Sequence, residues 1–155
     1  MDAEKSAIDF RAPGLDTQKA RFMRSYNDQQ SLVVESAMWV GPDARHAKAL
    51  VQYYRTSPGY HFRRDLDPQD FVENSDSFKD KSMTIGPPKS EVNELGRISH
   101  RSFDFDDVHC VMFQQLWGAS EGAGDQQLVG YYCADPGQPL DDRTIKQVVR
   151  SIDIR

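Results

Sequence analysis

Two cysteines placed symmetrically about a turn constrain the fold of this chain more than any other sequence feature. The polar, glycine-rich segment 118–125 separates Trp117 from Gln126, and this predicts a hairpin loop. If Trp117 pairs with Gln126, residues whose numbers sum to 243 lie opposite each other, and Cys110 and Cys133 also sum to 243. Side chains directly opposite on antiparallel strands are close enough to form a disulfide. We therefore predict this bridge, whereas a slip of two residues would leave two buried free cysteines.

The predicted bridge bears on the compartment in which the protein works. Structural disulfides persist in oxidising compartments, which favours a periplasmic or extracellular protein. The polar start, residues 1–6 and beyond, has no apolar signal core, and taken literally it indicates the cytoplasmic alternative. An initiator methionine that replaces a removed signal would give the same start, and a lipid anchor on the natural N-terminus is compatible with it. No run approaches the roughly 18–20 apolar residues that a membrane-spanning helix requires.

Hydrophobic periodicity predicts an α+β fold, with an antiparallel sheet of at least four strands and two main helices packed on one face. The first helix is expected at Pro42 to Arg55, because Ala47, Leu50, Val51 and Tyr54 recur at helical spacing. The second is expected at Asp141 to Ser151, where Ile145, Val148, Val149 and Ile152 form a stripe. Runs of β-branched and aromatic residues predict strands at Leu32 to Val40, Gly96 to Phe105, Val108 to Trp117 and Leu128 to Cys133, the last three as a meander.

The remaining segments are less regular. Residues 65–95 contain three prolines and many Ser and Asp residues, which predicts a long irregular segment with one short helix near Gln69 to Glu73. Residues Ala7 to Arg11 are a candidate for an additional strand. A chain of 155 residues of which 38% are hydrophobic suits a single globular domain, residues 1–155.

Strand alternation sorts the meander residues into two faces. One face reads as core, and it comprises Phe103, Phe105, Val108, Cys110, Met112, Val129, Tyr131 and Cys133. The other face mixes aromatic side chains with polar tips, as ligand or peptide surfaces do. Its candidate ligand-binding residues are His100, His109, Phe113, Gln115, Trp117 and Tyr132. The alternative is that Trp117 and Tyr132 hold the long segment or the first helix against this face.

The histidines raise the question of catalysis. A Cys110 nucleophile activated by His109 is disfavoured, because neighbouring residues of a strand point to opposite faces. A hydrolase or metal-assisted enzyme that uses His100, His109 or His61 is the alternative function, with His100 and His109 placed as diagonal neighbours. No third metal ligand is placed beside them, and no nucleotide-binding or hydrolase motif occurs, so we expect no metal or other cofactor.

Charge narrows the class of partner. The net charge is -5 and the basic residues are scattered, which disfavours nucleic acid as the main partner. We therefore expect a non-catalytic exported protein, periplasmic or in the envelope, that binds another protein or a small ligand.

The C-terminal third shows a resemblance. The sequence Cys110 to Gly118, CVMFQQLWG, followed by Gly130 to Leu140, GYYCADPGQPL, and a terminal helix resembles small exported bacterial proteins of uncharacterised function. The match covers about 40 residues of the chain. Such proteins carry an export signal and both cysteines, so the resemblance implies export. It implies no catalytic residue, substrate or partner.

Overall fold

The protein is a mostly β-stranded molecule in a computed structural model that describes residues 2–16, 19–27, 32–41, 46–60, 62, 67–118 and 125–155. A short 3-10 helix occupies Ala3–Lys5. The strands are β1 (Ile8–Phe10), β2 (Ala20–Asn27), β3 (Leu32–Val40), β4 (Ala47–Thr56), β5 (Thr84–Ile85), β6 (Lys89–Asn93), β7 (Gly96–Phe105), β8 (Val108–Gly118), β9 (Asp125–Cys133) and β10 (Ile152–Ile154). The helices are α1 (Pro68–Glu73) and α2 (Asp142–Arg150).

Eight strands form one antiparallel sheet in the order β2-β3-β4-β9-β8-β7, and β5 and β6 both pair with the outer side of β7. Strands β1 and β10 form a separate antiparallel pair, which joins the two ends of the chain. Consecutive strands are neighbours along most of the large sheet, and the non-consecutive pairings are β4 with β9 and β5 with β7. Among the described residues, no helix has the length and apolar character needed to cross a bilayer.

The predicted meander and its register are confirmed. Strands β7, β8 and β9 pair antiparallel, and Cys110 lies directly opposite Cys133. The two cysteines form a disulfide bond with a Cα to Cα distance of 4.0 Å. Residues Asp106 and Asp107 form the turn between β7 and β8, and Asp106 has a positive φ of 49°, as two-residue hairpin turns require.

The predicted α+β class with two main helices on one face is wrong. Residues Ala47–Thr56, expected as part of the first helix, form strand β4 in the middle of the sheet, and residues 42–45 lie outside the described residues. The same segment also alternates, with Leu50 and Tyr54 on one face of the sheet and Val51 on the other. Pairing with β3 on one side and β9 on the other stabilises the strand. The two helices that do form lie on opposite faces of the sheet, because Val72 of α1 and Val148 of α2 belong to different cores.

The large sheet buries a separate core on each face. We call the face that carries Cys110 the disulfide face; there Val72 and Phe78 cover Phe103, Met112 and Tyr131. The other face, which we call the α2 face, is covered by α2, β1 and β10. Its core includes Phe10, Trp39, Val51, Ile98, Val111, Phe113, Leu128, Tyr132, Ile145 and Val148.

The segment expected to be irregular carries more structure than the sequence indicated. Helix α1 lies where the short helix was predicted, and β5 and β6 add edge strands to β7. Asp67 caps α1 by accepting a hydrogen bond from the Gln69 N–H, and Pro68 occupies the first turn. Strand β1 lies within the candidate segment Ala7 to Arg11.

Candidate functional site

The structure buries most of the residues predicted to bind a ligand. Phe113 is fully buried and its ring lies 5.8 Å from that of Phe10, in an edge-on arrangement. Tyr132 is also buried, and its hydroxyl donates a hydrogen bond of 2.6 Å to the Pro13 carbonyl. The α2 face is therefore packed against the rest of the chain at these two positions, instead of forming an open wall for a ligand.

Two polar residues of the predicted set, Gln115 on β8 and His100 on β7, are buried as well. The amide groups of Gln115 and Asn93 exchange two hydrogen bonds, of 2.9 and 2.8 Å. His100 is 3% exposed, and burial lowers the pKa of its imidazole. Its Nε2 has no hydrogen-bond partner among the described residues.

Trp117 and His109 are the predicted residues that keep contact with solvent. Trp117 is partly buried and stacks on Tyr53, with ring centroids 6.0 Å apart and planes 12° apart. His109 has about half of its side chain exposed, and its Nδ1 lies 2.6 Å from the Asp104 carboxylate. The structure therefore does not bring the six predicted residues to one open site.

The histidines proposed to act together are far apart. His100 lies opposite Phe113, whereas His109 lies opposite Asp104, which is four residues further along β7. At about 3.3 Å per residue this separates them by roughly 13 Å along the strand. His61 lies outside the described residues. In the parts of the chain that the structure describes, no three His, Cys, Asp or Glu residues are grouped as metal ligands.

His109 lies in a cleft of about 310 Å³ at the edge of the meander. The cleft also contains Ser102, Asp104 and Asp141. Asp141 is committed to the start of α2, since its carboxylate accepts a hydrogen bond of 2.8 Å from the Thr144 N–H. Hydrogen bonding by the Thr144 side chain, and then by its backbone N–H, lowers the pKa of the Asp141 carboxyl. Asp104 orients the His109 imidazole through its Nδ1.

A larger groove of about 570 Å³ lies on the disulfide face, where sequence reasoning placed only core. Its floor is the part of the sheet formed by β3, β4 and β9, and its wall is α1 with the turn that follows. The floor residues are Met38, Leu50, Gln52, Tyr54 and Tyr131, and the wall residues are Asp70, Phe71, Asn74, Ser75, Asp76 and Ser77. The floor is mainly apolar and aromatic, and five of the six wall residues are polar.

Contacts at both ends of the wall hold it against the sheet and leave the groove between the wall and β3, β4 and β9. Phe78, which is 1% exposed, packs its ring 4.8 Å from Tyr131 and 5.3 Å from Phe103. At the other end, Arg101 donates hydrogen bonds to Asp67 at 3.0 Å and to Gln69 at 3.1 Å. These anchors fix both ends of the wall, so the groove does not depend on a ligand to form.

Two tyrosines present polar tips to the groove. The Tyr131 hydroxyl donates to the Ser77 hydroxyl at 3.0 Å, and burial raises the pKa of Tyr131 to about 12. Burial also raises the pKa of Tyr54, whose hydroxyl hydrogen bonds to the Gln52 side chain. Both phenols are therefore neutral at physiological pH and act as hydrogen-bonding groups.

The groove residues were missed because their strand was misassigned. The run Val51 to Thr56, VQYYRT, is rich in β-formers, and Leu50, Gln52 and Tyr54 alternate with Ala49, Val51 and Tyr53. Reading this period-two pattern would have placed Leu50, Gln52 and Tyr54 on one face of the sheet.

Comparison with known proteins gives no independent guide to function. No protein-family model, curated protein or solved structure matches this chain.

Proposed function

We propose that this chain is a non-catalytic binding protein of an exported compartment and that its ligand occupies the groove on the disulfide face. The observation that carries the proposal is the groove itself, with its largely apolar floor, polar wall residues and anchored wall. Small-ligand sites combine an apolar lining with a few convergent polar groups in this way. The disulfide between Cys110 and Cys133 supports the exported compartment.

The charges of the rim define the class of ligand. Asp70 and Asp76 supply two carboxylates, of which Asp76 lies 3.8 Å from the Lys79 ammonium, and the described lining residues themselves include no lysine, arginine or histidine. Leu50, Met38 and Phe71 supply apolar surface and Tyr54 supplies a phenol, whereas the buried Tyr131 hydroxyl is bonded to Ser77. We infer a small ligand with a flat apolar body and a cationic or hydrogen-bond-donating end, of which an aromatic amine is the simplest example.

The polar groups of the groove fit binding better than catalysis. The Ser75 hydroxyl donates to the Val72 carbonyl, and the Ser77 hydroxyl is held by Tyr131 and by the Ala47 N–H. No histidine or cysteine among the described lining residues is available to activate either serine. The alternative of an enzyme that uses His100 and His109 has less support, because the register separates these two residues.

The first test compares two probes of similar shape and opposite charge. Tryptamine and indole-3-propionate are titrated into isotopically labelled protein, and backbone amide shifts are followed by NMR. We expect tryptamine to shift the amides of Leu50, Gln52 and Asn74, and indole-3-propionate to shift them at least about fivefold less at equal concentration. Equal responses to both probes, or shifts confined to another surface, would refute this assignment.

Matched variants separate groove binding from general effects. Gln52→Trp places a large side chain on the floor of the groove. Ser99→Trp is the control, because Ser99 lies on the same face of the sheet and is linked to Gln52 by successive strand pairs, three strands away. We expect the first to abolish the tryptamine response and the second to preserve it. Asp70→Asn should weaken tryptamine binding, while Glu73→Gln removes a charge from the same helix without lining the groove.

A further inference from the structure

The two edges of the large sheet are built differently. On one side the outer edge of β7 is divided between β5, of two residues, and β6, of five residues. On the other side β2 is an uninterrupted edge strand of eight residues that pairs with β3 and with no other described strand. Short edge strands resist pairing with another chain, whereas a long one is a template for it.

Exposed apolar side chains concentrate at the β2 edge. Met23 and Tyr26 on β2 are 69% and 62% exposed, and Val40 at the end of the adjacent β3 is 55% exposed. These are three of the five large hydrophobic side chains that the described part of the chain leaves exposed. Met23 and Tyr26 point to opposite faces of the sheet, so a strand added at this edge would cover part of both side chains.

We propose that β2 is a homodimerisation edge, which pairs antiparallel with β2 of a second copy of this chain and extends the sheet across a twofold axis. This inference is independent of the groove and its ligand. In an antiparallel pair, directly opposed residues point to the same face of the sheet, whereas neighbouring residues of one strand point to opposite faces. With twofold symmetry, one residue of β2 must therefore lie opposite its own copy at the centre of the pair.

Overlap length and charge together select one of the possible registers. Centring the pair on Met23 or on Arg24 pairs seven residues of β2, whereas any other centre pairs five or fewer. Centring the pair on Arg24 would place two arginines directly opposite each other, which is unfavourable. Centring it on Met23 places Met23 opposite its copy and overlaps Ala20 to Tyr26. In that register Arg21 lies opposite Ser25, Arg24 opposite Phe22, and Ala20 opposite Tyr26. No arginine then lies directly opposite another.

Arg24 is also neutralised within its own subunit. Its guanidinium lies 3.3 Å from the buried Glu35 carboxylate and donates to the Lys5 carbonyl at 3.1 Å. The charge that would otherwise repel the second copy is therefore compensated on the α2 face. The arginines of this strand restrict the register of pairing without preventing it.

Cysteine cross-linking tests the register directly. Opposed residues in such a pair have Cβ atoms about 4.5–5.5 Å apart, within reach of a disulfide after small adjustments. We expect Met23→Cys to form a covalent dimer at least about tenfold faster than Val92→Cys under the same mild oxidant, with the Cys110–Cys133 bond intact by peptide mapping. Val92 is the matched control because it is 65% exposed on β6, at the opposite edge. Equal rates, or faster cross-linking of Arg24→Cys than of Met23→Cys, would overturn the proposed register.

Sedimentation of the unmodified chain tests the dimer itself. We expect a concentration-dependent monomer–dimer equilibrium up to about 0.5 mM, typical of a small interface. Met23→Lys should raise the dimer Kd at least about tenfold, whereas Val92→Lys should leave it within about twofold. A monomer at all concentrations, or a dimer that is insensitive to Met23→Lys, would overturn the proposal.

Discussion

Breaking the Cys110–Cys133 bridge is the perturbation whose effect on stability follows most directly from the structure. The bridge joins residues separated by 23 positions in sequence. In the chain-entropy treatment, a closed loop of that length restricts the unfolded chain enough to contribute about 3 kcal/mol to stability. For a chain of this size, that corresponds to a fall in Tm of roughly 6–12 °C. The cysteines are 1% and 0% exposed, so reduction requires unfolding first.

The assay is urea unfolding after refolding with or without a reductant. The reductant has one target, because the chain has two cysteines and both are in the bridge. A double variant, Cys110→Ala with Cys133→Ala, should lose more stability than the reduced protein, since it also removes buried sulfur atoms from the core. A loss below about 1 kcal/mol on reduction would refute the reasoning, and it would show that the unfolded chain retains the β8–β9 hairpin.

Three further perturbations test other parts of the fold. Gly130→Ala should destabilise the protein by about 3 kcal/mol in urea unfolding, because an added Cβ would lie 2.2 Å from the Leu50 carbonyl oxygen. Gly137→Ala is the control: its added Cβ meets open space, and only the positive φ of +77° should cost about 1 kcal/mol. Burial lowers the pKa of His100, so unfolding takes up a proton at low pH and the free energy of unfolding should fall as pH drops below about 6.5. His100→Leu should flatten the dependence of stability on pH between pH 7.5 and 5, and an unchanged slope would contradict this. Burial raises the pKa of Tyr131 to about 12, so as pH rises the phenol loses its proton in the unfolded chain before it does so in the folded protein. Stability should therefore fall from about pH 10 to 12. Tyr131→Phe should reduce that loss in unfolding experiments at pH 9 and 11.

The C-terminal half of the fold was predictable because its pairing is local. Trp117, Gln126 and the two cysteines define one register, and short connections leave the meander few alternatives. Helix α2 was predictable because its apolar stripe, Ile145, Val148 and Val149, has no competing period-two interpretation.

The N-terminal half was not predictable to the same degree. Residues Ala47, Leu50, Val51 and Tyr54 satisfy helical spacing, yet the same segment alternates and is paired on both sides by strands distant in sequence. Strand β2 was missed for another reason. Its residues are almost all exposed, with Phe22 the buried exception, so an edge strand carries no apolar alternation to detect.

The location of the groove shows which further information the sequence lacked. Alternation correctly assigned the meander residues to two faces, but it cannot state which face another segment covers. That depends on Phe78, which anchors the wall against Phe103 and Tyr131, and on Arg101, which ties Asp67 to β7 across 34 residues of sequence. Because α2 and the β1–β10 pair cover the α2 face, most of its mixed aromatic and polar residues are buried, although Trp117 and His109 keep contact with solvent. The described residues cover the disulfide face over β7 and β8 but leave a groove over β3 and β4, beside α1.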